Sequence, residues 1–324
     1  MRRRVFITLL GGAAAAWPIA ARAQQPEKMR RIGFLTLNSG PSPSTEGFQR
    51  GLSQLGYVEG QNVIILYRWT AGRKDRLVDL AKELLQLKVD LFASQSTEAI
   101  AAIRSINETI PIVMTGVSDP IGNKLIASFA RPGGNTTGVT LFSTDLASKR
   151  LGLIREVVPN LSRVAVLVER DHPPTTTMIK ETQAAASAMQ VELQIFEVGP
   201  EQIRGAFKSM ERARPDALIS QQTATFNAYI KEIADLALDG RLPSIHENRE
   251  YVRAGGLMAY GADTFTIGQR AAYYVDRILN GTNPADLPVE QPTKFVLSLN
   301  IKCAKTLGVT VPAALLATAD EVIE

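Results

Sequence analysis

Residues 89–97 read VDLFASQST and residues 215–223 read PDALISQQT, with Asp, Ser, Gln and Thr at the same four places. Each is a short apolar run, of a length that suits a strand buried on both faces, stopped by small polar residues. Around the first copy, RIGFLTL (Arg31 to Leu37), VIILYRW (Val63 to Trp69), LFAS, PIVMTG (Pro111 to Gly116) and GVTLF (Gly138 to Phe142) read as strands. Helical periods fall between them at Gly47 to Leu55, Asp75 to Leu87 and Thr97 to Asn107, the second with Leu77, Leu80, Leu84 and Leu87 on one face.

After a connecting helix at Leu146 to Val158 the series starts again. RVAVLVE (Arg163 to Glu169) has the apolar spacing of RIGFLTL, and VELQIFEV, ALIS, PSIHEN and GLMAYG follow as strands. Helices are expected at Thr176 to Met189, Glu201 to Arg212 and Phe226 to Leu238. Strands alternating with helices imply a parallel sheet covered by helices, so the fold class is α/β with two Rossmann-like parallel-sheet lobes. The duplicated stretch is then one strand end, used once per lobe.

The chain opens MRRRVFITLLGGAAAAWPIAARAQQ, a basic start, an apolar run too short for a permanent anchor and Ala21-Arg22-Ala23 as an A-x-A cleavage site. A signal peptide over residues 1–23, cut after Ala23, is expected, by the twin-arginine or the general route. Removing it removes four arginines and no acid, which takes the formal net charge from +4 to zero. The basic balance therefore belongs to targeting, and nucleic acid is excluded as an expected partner. Cys303 is the only cysteine, so no intrachain disulfide is expected.

In an open parallel sheet, ligands bind beyond the carboxyl ends of the strands. The polar tips there are the candidate ligand-binding residues: Asn38 and Ser39, Ser94, Gln95, Ser96 and Thr97, and Thr115, Gly116, Ser118 and Asp119 from the first half. From the second half come Gln221, His246, Asn248 and Asp263. Ser, Thr and Asp also cap helices, which is a competing role for Ser96, for Thr264 and for Asp119 ahead of Pro120. Gln95 and Gln221 cap poorly, so ligand contact suits them better.

Catalytic motifs are missing from the sequence. There is no Walker loop, no dinucleotide fingerprint and no G-x-S-x-G elbow. His172 and His246 stand in different halves without ligand spacing, so neither a metal nor a cofactor is expected, and no enzyme activity.

RIGFLT, GFQRGLSQLGYVEGQNV, VSDPIG followed by RPGGNTTGVT, RLPSIHENREYVRAGGLMAYG and the block from AAYYVDRILNGTNPADLPVEQPTKF to TLGVTVP carry a further signal. Together they resemble the ABC-transporter substrate-binding proteins of the tryptophan/tyrosine-type group, which have the type I periplasmic-binding-protein fold. The resemblance implies a periplasmic receptor, a monomer, that closes on a small solute such as an amino acid or aromatic carboxylate and delivers it to a membrane permease with its ATPase. It also implies a three-segment hinge, placed near Phe142 to Asp145, Gly261 to Thr264 and Lys294 to Asn300. Lobe 1 would then be 30–142 plus 265–293, and lobe 2 146–261 plus 300–324, with the ligand cleft between them. An exported two-lobed enzyme is the alternative.

Overall fold

The computed structural model describes residues 29–141 and 146–324. The expected signal peptide and the first hinge segment lie outside the described residues.

The first sheet is built from β1 (Arg30–Thr36), β2 (Val63–Trp69), β3 (Leu91–Ser94), β4 (Ile112–Val117) and β5 (Thr136–Thr140). Their order is β2-β1-β3-β4-β5, all parallel. Helices α1 (Pro43–Gln54), α2 (Leu77–Gln86) and α3 (Thr97–Arg104) connect them. Helix α1 starts earlier than the apolar period suggested. Ser42 caps it, accepting from Thr45 N, and the Thr45 hydroxyl returns to Ser42 N, with Pro43 at the first position. No α-helix follows Asp119: it has φ 44°, and its carboxylate holds Gly122 N at 2.9 Å in a turn.

The second half repeats the plan with α4 (Ala147–Val157), β6 (Arg163–Glu169), α5 (Thr175–Ala188), β7 (Glu192–Val198), α6 (Ile203–Ala213) and β8 (Ala217–Ser220). It continues through α7 (Ala224–Ala228), α8 (Ile230–Asp239), β9 (Ser244–His246), α9 (Glu250–Arg253) and β10 (Met258–Ala262). The one helix expected over Phe226 to Leu238 is two, broken at Tyr229. The order β7-β6-β8-β9-β10 matches that of the first sheet strand for strand.

Helix α10 (Thr264–Leu279) then returns to the first lobe, where Ile267, Ala271 and Val275 join a core with Phe34 and Phe48. It lies on α1 backbone to backbone. A Cβ on Gly268 would stand 1.9 Å from Ser44 O, and one on Gly47 2.0 Å from Phe265 O, so only glycine fits at these crossings.

The last passage between lobes is shorter than expected. Glu290 still bonds to the first sheet through Thr140 N and Gly138 O, and 291–294 span the gap. Phe295–Asn300, expected to be part of the hinge, is instead strand β11, antiparallel to β10. Its FVLSLN pattern sends Val296, Leu297 and Leu299 into buried positions. After α11 (Ile301–Leu307) and α12 (Ala313–Thr318), β12 (Glu321–Ile323) adds parallel to β11. Each sheet is covered by apolar clusters on both faces, as a parallel sheet requires.

Candidate functional site

The carboxyl ends of the two sheets face each other across a cavity of about 80 Å³. Three helices of eight residues or more begin at its wall. Helix α3 is capped by Ser96, whose hydroxyl accepts from Ala99 N at 3.2 Å. The start of α1 brings Ser42 and Ser44, and the start of α10 brings Thr264. Free backbone N–H groups at such ends favour an anionic or strongly polar guest.

Of the sequence-predicted residues, Asn38, Gln95, Ser96, Thr97, Thr115, Gly116 and Ser118 line the cavity from the first lobe, and Asn248 lines it from the second. Thr115 is 1% exposed and its hydroxyl has no hydrogen-bond partner among the described residues. Gln95 Nε2 rests 3.4 Å from Thr36 Oγ1, and Asn248 Oδ1 accepts from Glu250 N at 3.0 Å.

The remaining predicted residues are brought elsewhere. Ser39 is exposed beside the cavity, in an adjoining hollow. Ser94 is fully buried and braces the β3 end through Ser96 N at 3.1 Å. Asp119 reaches across to the second lobe, where Thr177 Oγ1 donates to it at 3.1 Å. Gln221 is turned inward, its Oε1 accepting from Glu169 N at 3.0 Å and Thr175 Oγ1 at 3.1 Å. The loop explains it: in the first lobe the cap Ser96 stands two residues beyond the strand end, whereas the second cap, Thr223, stands three beyond Ser220. One extra residue shifts the register, so Gln222 takes the place on the wall.

His246 is fully buried, stacked on Tyr251 and accepting from Asn248 N at 2.8 Å. Burial, joined by the charge of Arg150, pushes its imidazole down to about 3, so it is neutral at neutral pH. Asp263 sits at the hinge, with Lys294 Nζ at 3.2 Å and Thr266 Oγ1 at 2.8 Å, and does not line the cavity.

Sequence reasoning missed the charged bridge over the cleft. Lys74, from the 3-10 turn that leads into α2, meets Glu169 of the second lobe at 3.0 Å and Glu98 of its own lobe at 3.3 Å. His172 Nδ1, from the second lobe, meets the same Glu98 oxygen at 3.0 Å. Burial alone would raise the Glu98 carboxyl, but the His172 hydrogen bond and the positive charges outweigh it and hold it at about 2. Burial also pulls the Lys74 ammonium down, and the two carboxylates overcome that to leave it above its ordinary value. The bridge and the Asp119–Thr177 bond join one lobe to the other, so the molecule is in a closed form.

Behind the wall, Arg150 and Glu247, 1% and 3% exposed, pair at 3.1 Å, and Arg150 Nε donates to Tyr260 O at 2.9 Å. This ties the start of α4 to β10. Among the described residues no group of His, Cys, Asp and Glu could hold a metal ion.

Residues 35–323 match the family model described as ABC transporter substrate binding protein. The chain belongs to this family. A tyrosine-binding protein of Clostridioides difficile (strain R20291) is 23% identical over 286 residues, 87% of this chain and 81% of that protein. A conserved domain protein from Vibrio cholerae O1 biovar El Tor superposes with a TM-score of 0.87 at 26% identity, over 91% of this chain and all of the other. The structure of an ABC domain in complex with L-Trp from Streptococcus pneumonia matches over the same shares with a TM-score of 0.86 and 26% identity. As a substrate-binding protein of this family, the chain has two lobes, a hinge and a small-solute cleft, and works with a membrane permease. Among the described residues no helix is long and apolar enough to cross a membrane.

Proposed function

We propose that this protein captures a small polar solute in the periplasm by hinge closure and hands it unchanged to a permease driven by an ATPase. The carrying observation is the cavity between the lobes, whose wall comes from both sheets and which is spanned by an ion pair and a hydrogen bond from one lobe to the other. A solute touching both walls has contacts in the closed form that it lacks in the open one, and this difference shifts the population toward closure. About 3 kcal/mol of such preference shifts it more than a hundredfold.

The solute contacts are Asn38, Gln95, Ser96, Thr97, Thr115, Gly116 and Ser118 from lobe 1, answered by Asn248, Gln222 and Asn227 from lobe 2. Lobe 1 comprises 30–142 and 265–293; lobe 2 comprises 146–261 and the part from Phe295 on, where β11 pairs with β10. Export by residues 1–23 rests on the basic, apolar and Ala-x-Ala order at the N-terminus. A carboxylate on the solute agrees with the helix N-termini at the wall, and the tyrosine- and L-Trp-binding relatives carry one on their ligands.

The test is a thermal-shift screen of amino acids, carboxylates, nucleobases and sugars, because a ligand of the closed form raises the melting temperature. At least one compound is expected to do so. Consumption of a compound without any stabilisation would replace the transport reading with an enzyme.

A further inference from the structure

Resting on that reading, we infer that the closed cleft has a side passage: a small solute enters and leaves the inner cavity through a hollow between the start of α1 and the α7–α8 corner, while the lobes stay joined on the opposite flank.

The two flanks follow from the faces of the sheets. Along β1, Ile32 and Phe34 pack with α1 and α10, whereas Leu35 packs with α2 and α3. Along β6, Val164, Val166 and Val168 pack with α5, whereas Ala165 and Leu167 pack with α7 and α8. Alternate side chains of a strand point to opposite faces. The contacts that join the lobes belong to the α2–α3 face and the α5 face: Lys74 leads into α2 and Glu98 opens α3, and they are met by Glu169 and His172, just ahead of α5. Thr177, within α5, bonds to Asp119 on the same side. This flank is shut, with His172 and Glu98 only 11% and 14% exposed.

The hollow, of about 200 Å³, belongs to the other flank. Its walls are the β1–α1 loop, the corner where α7 gives way to α8, and the residues after β9. Asn38, Ser42, Pro43, Ala224, Asn227 and Asn248 line both it and the inner cavity, so the two spaces meet along a seam made by both lobes. Ser39, Pro41 and Ala228 are exposed on its rim, which brings it to the surface. A cleft joined on one flank and continuous with a surface hollow on the other lets a guest exchange without the full opening that a cleft sealed all round requires.

The test needs no solute. Lys74 and Glu169, 3.0 Å apart, are condensed to an amide with a carbodiimide, so that the lobes of the mature protein stay joined on the bridged flank, and the mass of the linked peptide confirms the bond. Gln222→Cys places a thiol on the inner wall, with methanethiosulfonate ethyltrimethylammonium as the probe and the buried native Cys303 as the background. In the linked protein the introduced thiol is expected to react well above that background. Ala228→Trp and Pro41→Trp, which add a ring at opposite walls of the hollow, are each expected to slow it about tenfold by limiting access, with the melting temperature confirming that each variant is folded. A thiol as inert as Cys303 in the linked protein would mean a cleft sealed on every side, and unaltered rates in both ring variants would mean another route; either overturns the inference. Failure of the carbodiimide to join Lys74 to Glu169 also overturns it, because that flank is then not shut. Solute capture itself stands or falls separately, on the thermal-shift screen.

Discussion

Lys74 stands in a short polar 3-10 turn with nothing in its neighbouring sequence to single it out, yet it is the cation on which both Glu98 and Glu169 converge. Its side chain is 37% exposed, against 14% and 5% for the two acids, so the bridge is screened on one side only. Breaking it leaves Glu169 buried opposite the gap, held by Thr225 at 2.9 Å, and weakens the closed form. Lys74→Ala is expected to lower solute affinity by roughly tenfold, about 1.4 kcal/mol of closed-state preference, with most of the change in the dissociation rate. Stopped-flow fluorescence and calorimetry measure both, and unchanged affinity would mean that the lobes shut without this bridge. The polar residues of the first-lobe tips were legible because a strand that ends in Ser-Gln-Ser-Thr must place those groups at the sheet rim. The bridge was not, since Lys74 and Glu169 are separated by a long stretch of chain and meet only when one lobe closes on the other.

Among the elements, the pairing of α1 with α10 decides how firmly the returning helix is set on the first lobe. It depends on Gly47, Gly51 and Gly268, where the Cβ of any other residue would strike backbone rather than a side chain that could move. Gly268→Ala is therefore expected to destabilise the protein by about 1–3 kcal/mol as an overpacked contact, read as a lower denaturant midpoint. An unchanged midpoint would show that the helices are further apart than described. Helix periods and strand runs placed most elements correctly, because apolar spacing reports which face is buried. They misplaced Gln221, whose position depends on a single extra residue in the loop after β8, and they missed β11, whose residues the resemblance had assigned to the hinge.

Across the whole molecule, stability carries a pH dependence from His246. Burial holds its imidazole at about 3 in the folded chain, far below the ordinary 6.5. Between these values the unfolded chain binds the proton and the folded one does not, so stability falls as pH drops from 6.5 toward 3. The slope from this group approaches about 1.4 kcal/mol per pH unit, and urea unfolding at several pH values checks it; His246→Asn is expected to flatten that part of the curve. A curve equally steep in the variant would assign the slope to other groups.

The order of strands and helices, the two-fold repeat and the polar rims were determined by the sequence alone, because local periodicity and strand-end chemistry act over a few residues at a time. Which polar groups face the cavity, which are turned inward as Gln221 and His246 are, and which charges join the lobes were decided only by the tertiary structure. Those outcomes depend on distances between segments that the chain brings together through its hinge, and no stretch of neighbouring residues contains that information.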